Sequence, residues 1–225
     1  MKTLKKLAAA AALIALSGAA QAALVNRGGG MIYDTTRNIT WLADMNYAQT
    51  SGHTGTGVNA NGRMTWDAAT AWASNLIYGG FSDWRLPTLN PNDASCTNGF
   101  SVGGGYNCTG GELSGLFVTD LGNKAVESVL NQVGDTAEQI ANLALFSKVQ
   151  SNGYWSGTGY APSTSGAWLF NSDIGLQVIV DKPSASFAVA VRPGDVAATV
   201  PEPQTLALVL LALGATLVAR RRRPT

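Results

Sequence analysis

Hydrophobic positions along this chain come in short runs, alternating or at helical spacing, with Gly, Asn, Ser and Thr between them. In the centre, Gly79-Gly80 is followed by Phe81-Ser82-Asp83-Trp84-Arg85-Leu86-Pro87-Thr88. Trp84 and Leu86 alternate about Arg85 and Pro87 ends the pattern, which predicts one short strand at the heart of a core. Upstream, Met31-Ile32-Tyr33 and Ile39-Thr40-Trp41-Leu42 flank the polar Asp34 to Asn38, the pattern of a hairpin. Thr65 is a helix N-cap with Asp67 in the first turn. Trp66, Ala69, Trp72, Ala73, Leu76 and Ile77 then fall on one face and Gly79 closes the helix.

Downstream of Pro87 the chain is irregular from Asn90 to Gly111. Glu112 to Leu121 predicts a short helical segment, and Ala125, Val126, Val129, Leu130 and Val133 an amphipathic helix ended by Gly134. Thr136 and Gln139 form a capping box ahead of Ile140, Leu143 and Ala144. Strands follow: Tyr154-Trp155-Ser156, a hairpin of Ala167–Asn171 and Leu176–Val180, and a last strand Phe187–Arg192 with Phe187, Val189 and Val191 on one face. No internal repeat or second core interrupts this order, so residues 23–197 are expected to form one α+β domain.

The ends have a different pattern. Residues 1–22 carry a cationic start, an apolar run Leu7 to Leu16 and the small-residue site Ala20-Gln21-Ala22, the three parts of a secretory signal cleaved near Ala23. Residues 205–219 are apolar and are followed at once by Arg220, Arg221, Arg222 and Arg223. At ~1.5 Å per residue such a helix spans roughly 22 Å, short of the ~30 Å hydrocarbon core. That makes it marginal as a permanent anchor, and its arginines stop transfer and stay cytoplasmic. Just before it, Val200-Pro201-Glu202-Pro203 holds the backbone extended and exposed, as a processing enzyme requires.

Charge follows the same division. Of 15 basic residues in the 225, seven belong to these two ends. Eight remain against 13 acidic residues once Glu202 is set aside, a net charge of −5 for the domain. Nucleic acid and anionic membrane surfaces are therefore excluded as partners.

Cys96 and Cys108, in an exported chain and separated by a loop rich in Gly and Asn, predict a disulfide. Without a Cys-x-x-Cys spacing, neither redox catalysis nor structural zinc is expected. The one histidine, His53, stands in a Gly-rich loop and leaves no partner for a Ser-His-Asp or two-His metal site. The carboxylates include no pair singled out by spacing, and Asp83 beside Arg85 is expected to form a structural ion pair. No catalytic residue and no cofactor is assigned, and the protein is expected not to be an enzyme. Asn90, Asn92 and Asp93 supply hard oxygen ligands of the kind calcium takes, with a plain polar turn as the alternative. Tyr154, Trp155, Tyr160 and Tyr106 offer flat apolar faces with polar edges for glycan contact, with a core role as the alternative for the tryptophan.

Two resemblances add to this reading. Val-Pro-Glu-Pro at residues 200–203, a short apolar helix and a C-terminal Arg cluster resemble the PEP-CTERM sorting signal over residues 198–225. The resemblance implies recognition by an integral-membrane exosortase in Gram-negative bacteria that make exopolysaccharide, with processing after export. Four other segments occur in this order: Tyr33-Asp34 with Ile39-Thr40-Trp41; the Thr65 helix running into Gly80–Thr88; Tyr154–Thr158; and Ala167-Trp168 with Phe170, leading to Val191-Arg192. They resemble the Lcl C-terminal-like domain found in bacterial collagen-like adhesins. That resemblance implies a compact C-type-lectin-like or sulfatase-modifying-factor-like α+β fold, with antiparallel strands, two or three helices, long binding loops and paired first and last strands. It also implies polysaccharide binding. The sequence departs from the family pattern at Leu89-Asn90-Pro91, where an acidic residue is usual, and at Gly159. A secreted hydrolase using a carboxylate pair, or a purely structural matrix protein, is the alternative.

Overall fold

The computed structural model describes residues 23–99 and 103–196. The predicted signal at 1–22 and the sorting tail at 198–225, with its apolar helix and arginines, lie outside them. Among the described residues no helix is long and apolar enough to cross a membrane.

The described residues form two four-stranded antiparallel sheets and four short helices, an α+β fold. The first sheet contains β1 (Leu24–Gly28), β2 (Met31–Asp34), β3 (Ile39–Leu42) and β8 (Val191–Pro193), in that order. The predicted hairpin is β2–β3, in register from Met31 opposite Leu42 to Asp34 opposite Ile39. Its turn is made by Asp34, whose Oδ1 accepts the Thr36 and Arg37 amides at 3.0 and 2.9 Å, and by Asn38 at φ 51°. β8 pairs with β3, placing Trp41 opposite Val191, so the last strand joins the third rather than the first.

The second sheet has the order β4 (Gly105–Tyr106), β7 (Leu176–Asp181), β6 (Gly166–Asn171), β5 (Gly153–Gly159). Here the predicted β6–β7 hairpin and the Tyr154-Trp155-Ser156 strand are found where the alternation placed them.

The segment ahead of β8 ties the sheets together. The Phe187 amide donates to the Gly153 carbonyl and the Leu42 amide to the Ala190 carbonyl, each at 2.9 Å. Phe187, Val189 and Val191 enter the core cluster holding Trp41, Phe117 and Phe170, while Ala188 and Ala190 enter the one holding Trp72, Trp84 and Trp155. One face was predicted for the first three residues; both faces are buried, and small alanines suit the second. Only Val191–Pro193 is strand, because residues 187–190 divide their hydrogen bonds between two sheets.

Four helices cover this frame: α1 (Tyr47–Thr50), α2 (Trp66–Ser74), α3 (Glu112–Ser114) running into a π-helical turn at Gly115–Asp120, and α4 (Ala137–Leu143). Thr65 caps α2 by accepting the Ala68 amide, and Thr136 and Gln139 form the predicted capping box on α4.

Three expectations are corrected. α2 ends at Ser74 with Asn75 as its C-cap, so Ile77 is off the helix and 76% exposed. Phe81–Thr88 is not a strand; Arg85 bridges Val191 through paired 2.8 Å hydrogen bonds, and Trp84 and Leu86 are buried as the alternation required. Residues 125–133 form turns rather than a helix. The Leu130 amide donates to Ser128 Oγ and the Val133 amide to Asn131 Oδ1, local bonds that compete with a helical ladder. Only Val129 of that apolar set is fully buried.

Candidate functional site

Loop 51–58 folds back over α2 and leaves an open groove of about 470 Å³. Gly57 makes the approach possible: its φ is +78°, its carbonyl accepts the Thr65 amide at 2.8 Å, and a Cβ there would lie 2.6 Å from Thr65 Oγ1. One wall is the outward stripe of α2, Ala68, Ala71 and Asn75, at helical spacing. Trp72 and Leu76 line the floor and Tyr47 closes one side, its ring edge-on to Tyr78 at 5.0 Å. His53 and Thr54 stand on the loop side, with the His53 amide donating to the Ala48 carbonyl at 2.9 Å.

A smaller cavity of about 370 Å³ opens beside Arg37. Arg37 Nη1 donates to Asp34 Oδ2 and to Asp120 Oδ2, each at 2.6 Å, so two carboxylates share one guanidinium. The π-helical turn brings Asp120 there, and Gly115 admits the arginine, since a Cβ would lie 2.3 Å from Nη2. Burial pushes the Asp120 carboxyl above its usual range against the pull of Arg37, and Asp34 and Glu138 push the same way. Burial works against the Arg37 charge, yet Asp120 and Asp34 outweigh it and hold the guanidinium above its usual range. Asp34 is fully buried and also accepts Trp41 Nε1–H at 3.3 Å, so it presents no oxygen to a substrate.

Cys96 and Cys108 are bonded, as predicted. With Asp93 they are the one group of three among the described residues whose His, Cys or acidic side chains converge within 4.8 Å, but a disulfide offers no thiolate. Asp93 works inside this loop: Oδ1 accepts the Ser95 amide and hydroxyl at 3.0 and 2.6 Å, and Oδ2 accepts the Gly110 amide at 2.7 Å. Burial opposes its charge, and these donors overcome that and lower its pKa. Asn90 Oδ1 accepts the Asn92 amide at 2.9 Å, while Asn92 itself is exposed. The Asn90 and Asp93 oxygens considered for calcium thus serve the polar turn that was the alternative.

The glycan platform is not assembled as predicted. Tyr154 and Trp155 are both 0% exposed; Gln150 donates its amide to the Tyr154 hydroxyl at 2.7 Å and Trp155 Nε1–H donates to the Met64 carbonyl at 2.8 Å. They are core residues because β5 is covered on both faces. Tyr160 is half-buried and edge-on to Trp168, and Tyr106 is half-buried in β4, so the four aromatics share no surface. The Asp83–Arg85 pair does not form either. Asp83 accepts Arg192 Nε and Nη2 at 2.8 and 3.0 Å, and Arg85 reaches Glu112. The groove residues Tyr47, Trp72, Asn75 and Ile77 were not singled out as a site. The available signal was the Gly, Ser and Thr loop around His53 placed directly before a helix with an outward small-residue stripe.

The sorting residues Val200, Pro201, Glu202 and Pro203, the arginines 220–223 and the cleavage residues Ala20 and Ala22 lie outside the described residues. What they do is carried by comparison with known proteins. Residues 199–223 match the PEP-CTERM protein-sorting motif. This motif implies export, processing by an exosortase and sorting to the surface of a Gram-negative cell. No curated protein matches the chain.

Proposed function

We propose that this is a non-enzymatic, exported surface or extracellular-matrix protein, delivered by its PEP-CTERM tail and binding polysaccharide through its folded domain. The observation that carries the reading is the motif match at residues 199–223. On this reading a signal at 1–22 directs export, the apolar 205–219 segment holds the chain transiently in the inner membrane, and the exosortase then processes it. The folded part is a Lcl C-terminal-like domain of C-type-lectin-like or sulfatase-modifying-factor-like build. The mixed α+β architecture and the loop-bordered groove support that placement.

A hydrolase acting through paired carboxylates is the weaker reading. The carboxylates that meet, Asp34 and Asp120, are held together by Arg37. In a strain lacking the exosortase, the full-length protein is expected to accumulate in the inner membrane, with none at the cell surface. Normal surface delivery in that strain would overturn the sorting half. The full chain incubated with the producer's exopolysaccharide is expected to bind it and release no reducing ends. Release of reducing ends, abolished by Asp120→Asn, would establish the hydrolase instead.

A further inference from the structure

The groove between α2 and loop 51–58 has an apolar floor and an uncharged polar rim. Trp72 and Leu76 form the floor, Tyr47 one side, and Ile77 stands exposed at the edge. Around them are the His53 ring, the Thr54 and Thr56 hydroxyls and the Asn75 amide. Asn75 is exposed and turns Nδ2 to the Ala71 carbonyl at 2.8 Å, and its Oδ1 accepts no hydrogen bond among the described residues. The side chains of His53, Thr54 and Thr56 make no hydrogen bond among the described residues. No Asp, Glu, Lys or Arg lines the groove.

A ligand suited to this surface has a flat C–H face for the floor and hydroxyl groups at its edge for the rim, which is the construction of a pyranose ring. It carries no charge. An anionic sugar would lose water against the apolar floor with no Lys or Arg to receive it, and would meet a domain of net charge −5. We propose that this groove is a subsite for uncharged hexose units of a polysaccharide, with Tyr47 and Leu76 as the apolar contacts over the largely buried Trp72, and His53 and Asn75 as the hydroxyl partners. The inference rests on the polysaccharide reading above and adds to it the place and the charge class of the ligand.

The test uses the full chain in a non-glycosidic detergent, titrated with cello- and malto-hexaose and with an oligogalacturonate of the same length. At least one neutral oligosaccharide is expected to bind more tightly than the oligogalacturonate. Ala71→Trp fills the groove from an exposed helix position, and it should weaken that binding at least tenfold with the unfolding midpoint unchanged. The double change His53→Ala, Asn75→Ala should do the same by removing rim partners. Neutral glycan binding at full strength in both variants would overturn the groove while leaving polysaccharide binding in place. Tighter binding of the oligogalacturonate would overturn the charge class. Failure to bind any of the three sugars or the producer's own polymer would remove both readings.

Discussion

Arg85 and Glu112 meet in a two-pronged ion pair, Nη1 to Oε2 and Nη2 to Oε1, both at 2.7 Å. Glu112 Oε2 also accepts the Thr88 amide at 2.8 Å, so a single carboxylate joins the segment before Pro87 to the start of α3. Arg85 is 40% exposed, which lowers the value of the pair through solvent screening. Glu112→Ala is expected to cost about 1 to 2 kcal/mol, read from the urea midpoint. An unchanged midpoint would mean the two segments are held by packing alone.

The same carboxylate sets an acid dependence. Burial opposes its charge, but the bonds from Arg85 and Thr88 overcome this and hold Glu112 below its ordinary pKa of 4.5, as the Asp93 donors hold Asp93 below 3.8. Both are harder to protonate in the fold than in the open chain. Each therefore contributes stability above its ordinary value that is lost as pH falls through its lowered folded value. Asp120, raised by burial, acts in the opposite sense and offsets part of the loss. Urea midpoints measured from pH 7 down to pH 3 should fall below about pH 4.5, and less steeply in Glu112→Gln. Identical slopes for the two proteins would contradict this assignment.

Arg37 pairs with two carboxylates at once, and one of them has no access to water. Arg37→Met would leave Asp34 buried beside Asp120 without a cation, at a cost of about 3 to 5 kcal/mol. Removing one of the two carboxylate charges with the double change Arg37→Met, Asp120→Asn should recover part of that loss. Thermal unfolding of the two variants checks it, and equal midpoints would show that the charges are not coupled.

The Cys96–Cys108 bond closes a 12-residue separation and is reinforced by the Thr97–Tyr106 bridge that leads into β4. Its loss should cost roughly 3 kcal/mol by chain entropy. In a domain of this size that lowers the unfolding midpoint by about 6 to 12 °C. Calorimetry with and without reductant measures the difference; a midpoint indifferent to reductant would show the loop to be held by Asp93 and its donors.

Much of the framework was legible in the chain. The β2–β3 and β6–β7 hairpins, the Thr65 cap, the Thr136–Gln139 capping box and the disulfide each depend on residues close in sequence, so local patterns found them. The failures are of two physical kinds. Asp83 was paired with its neighbour Arg85, yet its partner is Arg192, 109 positions away, brought close by β8. Tyr154 and Trp155 have amphipathic chemistry that suits a surface as well as a core, and only the covering of β5 on both faces decides between them. Residues 125–133 failed differently: the apolar spacing was helical, but the Ser128 and Asn131 side chains take up the amides a helix needs. The groove was legible only as a Gly, Ser and Thr loop ahead of a helix with an outward small-residue stripe; that the two close on each other depends on the contact of Gly57 with Thr65.

Delivery of the protein depends on its tail. Replacing Pro201, Glu202 and Pro203 by Ala in the producing cell and following the protein by size and fractionation tests it directly. Unprocessed full-length protein held in the inner membrane, with none at the surface, is the expected result. Processed protein of unchanged size reaching the surface in normal amount would contradict it.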